Sequence, residues 1–202
     1  MFTNEDSFLN QILIRIGEIC LLNILFILTS IPIVTIGASF TAMYQCTLKM
    51  INGTHSDTAR TYFKAFKSNF KQATIAWIAI LVITTILLFN LQFSVVVASK
   101  AVFYTTVFVT VILILVALYV FPVIATFENT LANLIKNSFI FMIAKFPATA
   151  IIALITFFPI SLTYMDVALL PLYTFCWCFF AFALVAYINS FIFYKIFAKH
   201  LR

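Results

Sequence analysis

Charged side chains in this chain are confined to short gaps between apolar runs close to 20 residues long. A helix needs about that length to cross a bilayer. Stretches such as Ile78–Leu88 and Thr105–Val120 are apolar on every helical face. A transmembrane barrel would instead alternate apolar and polar residues in segments of roughly ten. Composition agrees with helices in lipid: of 202 residues 64% are hydrophobic and 9% charged, against about half and a quarter in a soluble domain. So small a sphere has too few interior positions to hide that apolar surplus. The expected fold is all-α, a polytopic transmembrane helix bundle of about six spans forming one integral membrane domain over residues 1–202.

The first span is expected over Asn10–Ser30, ended by Pro32, with a tight return through Gly37. A short second helix follows over Val34–Ile51, with Ala38, Ala42 and Cys46 at every fourth position. Small residues so spaced allow close helix contact, and the first helix is the expected partner. A re-entrant hairpin over residues 33–51 is the alternative. Four further spans are expected over Ala73–Val97, Ala101–Phe127, Pro147–Tyr164 and Pro171–Ile196, with Pro122 and Pro159 kinking theirs. The start, Met1-Phe-Thr-Asn-Glu-Asp6, is acidic and lacks the basic region of a secretory signal.

Six spans with both termini inside place Arg15, Lys49, Arg60, Lys64, Lys67, Lys71, Lys136, Lys145, Lys195, Lys199 and Arg202 in the cytoplasm. Only Lys100, with Asp166, falls outside. The positive-inside rule selects this orientation. It also explains the net charge of +6 without a nucleic-acid partner. Asn52-Gly53-Thr54 matches a glycosylation sequon, but this topology puts it inside.

Two cytoplasmic segments read as amphipathic. Over Asp57–Gln72, with Ser56 or Asp57 as cap, Arg60, Lys64, Lys67 and Lys71 form a basic stripe about 60° wide. Tyr62, Phe63, Phe66 and Phe70 fall to its other side. The expectation is an interfacial helix lying along the inner membrane face, aromatics in the bilayer and cations on anionic lipid headgroups. A solvated loop is the blander alternative. Over Glu128–Lys145, Leu131, Leu134, Ile135 and Phe139 oppose Asn129, Asn133, Lys136 and Asn137, and Glu128 projects to the apolar side.

Helix one carries a polar stripe of Gln11, Arg15, Glu18 and Thr29, with Arg15 and Glu18 spaced to pair. Charge facing hydrocarbon costs at least ~2.5 kcal/mol per residue, so the stripe turns inward. Two readings stand. Arg15, Glu18 and Glu128 form a polar cavity for a small ligand or proton, or the stripe is a packing device among helices one, two and four.

Catalytic machinery is not expected. His55 and His200 lie far apart, and no metal-binding, nucleophile or phosphate-binding motif occurs. Cys20, Cys46, Cys176 and Cys178 sit in apolar runs, where cysteine acts as a small hydrophobe. No cofactor, metal or catalytic residue is assigned. A faint internal echo, helix–basic segment–helix repeated, has too poor a sequence match to build on.

Several segments together resemble the YesL family of bacterial membrane proteins. They are Leu28-Thr-Ser-Ile-Pro-Ile-Val-Thr-Ile-Gly-Ala38, Ala42-Met-Tyr44 and Thr47-Leu-Lys49, then Phe63, Phe66-Lys67 and Asn69-Phe-Lys-Gln-Ala73, and finally Tyr119-Val-Phe-Pro122, Phe127-Glu-Asn129 and Lys136-Asn137. The likeness runs from about Gly17 to Lys145; the Gln45-Cys46 pair departs from it. It implies a multi-pass plasma-membrane protein of mainly Gram-positive bacteria, associated with carbohydrate uptake and breakdown, in a family of unknown function that offers no catalytic residue to carry over. The expected role is an accessory or regulatory component, with a sugar ABC transporter as partner. The alternative is a small oligomeric transporter or channel for a sugar or ion.

Overall fold

A computed structural model describes residues 8–54 and 57–198; the acidic start, His55, Ser56, Lys199, His200 and Arg202 lie outside them. The described residues are helical almost throughout and contain no strand. In chain order the α-helices are α1 (Phe8–Ser30), α2 (Ile36–Ile51), α3 (Thr58–Val96), α4 (Lys100–Thr126), α5 (Leu131–Ala144), α6 (Phe146–Met165), α7 (Leu170–Cys176) and α8 (Phe182–Phe197). A single 3₁₀ turn precedes α2 and another precedes α7, and a π-helical segment, Trp177–Ala181, joins α7 to α8 as one rod.

Five of these elements are long and apolar enough to cross a membrane: α1, α3, α4, α6 and the rod through α7 and α8. The other expected span, α2, brings the chain back to the end where α1 starts, since Gln11 and Ile14 border the same recess as Met50 and Gly53, so the chain still turns back an even number of times. At 16 residues α2 is about 24 Å long, short of a hydrocarbon core of about 30 Å. Pro122 and Pro159 remain inside continuous helices.

The largest departure concerns α3. The basic segment is not a separate helix; it is the first third of a single 39-residue helix. Nothing in Thr58–Val96 interrupts it, since neither Gly nor Pro occurs there. Asp57 caps it, its carboxylate accepting from the Arg60 N–H at 3.1 Å.

The two halves of α3 serve different neighbours. Its first half packs along α2, which is the main partner of that helix, not α1 as the small-residue spacing suggested. The two backbones come close at Gly37, where a Cβ would stand 2.5 Å from the Ala73 carbonyl oxygen and 2.6 Å from the Trp77 Cβ. Only glycine permits that contact. The Trp77 indole N–H donates to the Ile33 carbonyl at 2.8 Å, so the α1–α2 turn stops beside the middle residue of α3. Residues 78–96 continue about 28 Å beyond it.

That second half pairs with α4 and carries exposed apolar side chains on several faces, including Val82, Ile83, Leu88, Phe89 and Phe93. Phe108, Val109 and Val111 of α4 are exposed likewise. Together they form an apolar arm. The core lies at the other end of these helices, where Tyr119 of α4, Phe193 and Phe197 of α8, and Leu134 of α5 are buried. Here Phe127 meets Phe197 at 5.3 Å between ring centroids, and the Tyr194 hydroxyl donates to Asn52 at 3.0 Å. Lys49 and Lys195 occupy the last turns of α2 and α8 at this end. Lys100 begins α4 at the tip of the arm.

Candidate functional site

Arg15 and Glu18 form the expected pair, Nη1 to Oε2 at 2.9 Å, one helical turn apart. They border a recess of about 260 Å³ between α1 and the end of α2, completed by Gln11, Ile14, Met50 and Gly53. Gly53 shapes its rim with a φ of +71°, which suits a residue without Cβ. The guanidinium and the carboxylate neutralise one another, so the recess presents polarity without net charge. On α1 its lining stops at Glu18, and in the turns that follow Ile19 and Leu22 are buried.

Glu128 does not join them. The placement on an apolar face assumed a helix running through residue 128. In fact α4 ends at Thr126 and α5 begins at Leu131, leaving Glu128 exposed in the connection. The neighbouring Asn129 carbonyl accepts from the Gln72 side chain at 3.0 Å, tying that loop to α3. On α5 the buried face is Leu134, Ser138, Phe141 and Met142, whereas Ile135 and Phe139 are exposed.

The basic stripe survives in altered surroundings. Arg60, Lys64, Lys67 and Lys71 are all exposed along the first half of α3. The aromatics split. Tyr62 is fully buried, inside the bundle and not in lipid, and Phe66 is half-buried, while Phe63 and Phe70 are exposed beside the cations.

Four polar connections inside the bundle escaped the reading of the sequence. Asn23 of α1 is fully buried; its Nδ2 donates to the carbonyls of Trp177 and Cys178 at 3.0 and 2.9 Å, and its Oδ1 accepts from the Ala183 N–H at 3.0 Å. Thr29 leaves the expected stripe and bonds Ser39 of α2 at 2.9 Å and the Tyr62 hydroxyl at 2.6 Å. Thr47 meets Ser190 at 2.7 Å, joining α2 to α8. Tyr119 meets Thr149 at 2.8 Å, joining α4 to α6. The signal was present for Asn23 alone, an amide within the run Ile19-Cys-Leu-Leu-Asn-Ile24, because a polar side chain in a span turns toward other helices. Threonines and serines in apolar helices can equally bond their own i−4 carbonyls, so their partners were not readable.

Chemically, these four connections join helices to one another, while the buried side-chain oxygens of Ser30, Thr74 and Asn189 accept no hydrogen bond. Among the described residues no three His, Cys, Asp or Glu side chains gather to hold a metal. Neither the curated proteins nor the solved structures contain a match to the chain. Residues 19–91, from the buried face of α1 through α2 and most of α3, match the model of a family described as "Protein of unknown function, DUF624".

Proposed function

We propose that this chain is an accessory or regulatory subunit of a carbohydrate-uptake system in a bacterial plasma membrane. In this reading the cation-rich end and both termini face the cytoplasm. Carbohydrate uptake, and a sugar ABC transporter as partner, rest on the likeness of Leu28–Ala38, Asn69–Ala73 and Tyr119–Pro122 to the YesL family. An enzymatic role has no part in it. The observation that carries the reading is the fate of the interior polar groups. Asn23, Thr29, Thr47 and Tyr119 are used to join helices, and on α1 the lining of the Arg15–Glu18 recess goes no further than Glu18. A transporter needs polar groups facing a path through the membrane; a subunit that holds or modulates another protein does not. The row from Arg60 to Lys71 suits anionic lipid headgroups. Purification of the tagged chain from native membranes in mild detergent should retain a transporter subunit. Repeated purifications that retain none would remove the accessory role.

A second reading is a small, oligomeric transporter or channel that uses Arg15 and Glu18. It is favoured by one observation, an ion pair bordering a recess. Reconstituted in liposomes, the chain should then pass a sugar or ion, and Glu18→Gln should stop it. Flux equal to that of empty liposomes across a substrate panel sinks this version.

A further inference from the structure

Apart from the polar contacts, a cavity of about 280 Å³ lies between α2, α4, α6 and the π segment with α8. It sits partway along three of the spans: Ile114 and Leu118 line it from α4, Phe157 from α6 and Phe182 from α8, with Phe40 of α2 also on its wall. Two of its polar lining side chains, Thr156 and Trp177, are engaged. The Thr156 hydroxyl donates to the Ile152 carbonyl at 2.8 Å and accepts from Asn189 at 2.9 Å. The Trp177 indole N–H donates to Thr163 at 3.0 Å. Besides these only the Tyr44 hydroxyl adds polarity to the lining, far too little for a sugar or an ion, whose polar groups are costly to bury without partners.

The cavity is open at its side. Ile114, Phe157 and Ile160 both line it and belong to the exposed apolar surface of α4 and α6. That surface is what spans of this composition turn toward hydrocarbon, so the cavity is continuous with the bilayer interior. Protein interiors are packed as densely as organic crystals, and an unfilled space this large forfeits dispersion contacts around its whole lining.

We infer that this cavity is a lateral binding site for one acyl chain of a membrane lipid, entering between α4 and α6 and lying against Phe40 and Phe182. The site takes the chain and makes no demand on the headgroup. It goes beyond the accessory role and does not depend on it.

The test is photolabelling in vesicles of phosphatidylethanolamine and phosphatidylglycerol whose acyl chains carry a mid-chain diazirine, with adducts located by peptide mass spectrometry. Wild type should be labelled at the cavity wall, on Met43 and Phe182, as well as on Phe89 of the exposed arm. Ala117→Phe fills the cavity from α4; it should abolish the wall label and leave Phe89 labelled. Should that variant fail to fold, Val185→Phe fills the same space from α8. Wall labelling absent from wild type, or unchanged in a folded filled variant, would overturn the site. Wall label replaced in wild type by a protein cross-link would assign the space to a partner's side chain and overturn it equally.

Discussion

The Asn23 side-chain oxygen accepts a hydrogen bond from the Ala183 backbone N–H at 3.0 Å, across 160 residues of chain. The same carboxamide donates to Trp177 and Cys178, carbonyls that open the π segment. A π turn disturbs the regular i→i−4 ladder and leaves groups for others to satisfy, and in an apolar bundle the satisfier must be another helix. One side chain on α1 therefore supports the irregular joint of the last rod.

Asn23→Leu keeps the size and apolarity of the site but removes all three bonds. Interhelical hydrogen bonds in membranes average about 0.6 kcal/mol each, so a loss of about 2 kcal/mol is expected. Equilibrium unfolding in detergent by denaturant measures it. An unaltered midpoint would mean that the π segment supports itself.

Gly37 and Gly17 should answer oppositely to alanine. At Gly37 the added Cβ would meet the Ala73 carbonyl and the Trp77 Cβ inside contact distance, and backbone cannot swing away. Overpacking of this kind costs about 1–3 kcal/mol. At Gly17 nothing lies within 4 Å, and alanine is the better helix former by about 0.5–1 kcal/mol. Thermal unfolding of both variants should move in opposite directions; equal shifts would refute the close α2–α3 contact.

Tyr62→Phe deletes the hydroxyl bonded to Thr29 at 2.6 Å and keeps the buried ring. A loss of about 0.6 kcal/mol, and less than 2, is expected. Tyr62→Ala should be far worse, because it also empties the ring's volume, typically 3–5 kcal/mol for a large aromatic. If Tyr62 instead dipped into lipid, the two variants would behave alike in detergent unfolding.

Orientation is open to direct measurement. In a chain freed of its four native cysteines, Lys67→Cys should react with an impermeant maleimide only after cells are opened, and Lys100→Cys in intact cells. The reverse pattern would invert the whole bundle.

Much of the architecture could be read from the chain. The limits of α1, α4 and α6, the stop at Pro32 and the Asp57 cap follow from hydrophobic run length and from the backbone chemistry of proline and aspartate. The continuity of α3 was also legible, since no Gly or Pro separates Thr58 from Val96; the change from amphipathic to wholly apolar pattern at Ala73 concealed it. Glu128 was misplaced because angular position has meaning only inside a helix, and residues 127–130 are not one. The π segment had no readable signal, for Trp177-Cys-Phe-Phe-Ala181 is apolar in any register. The Arg15–Glu18 pair was legible as a local i, i+3 contact, whereas the bonds that close the core join residues up to 160 positions apart.

Because the α1–α2 turn halts level with Trp77 while α3 and α4 go on, the far half of that pair has no helix of the first hairpin beside it. Its greasy flanks, Phe89 and Phe93 among them, are left for the surroundings to cover.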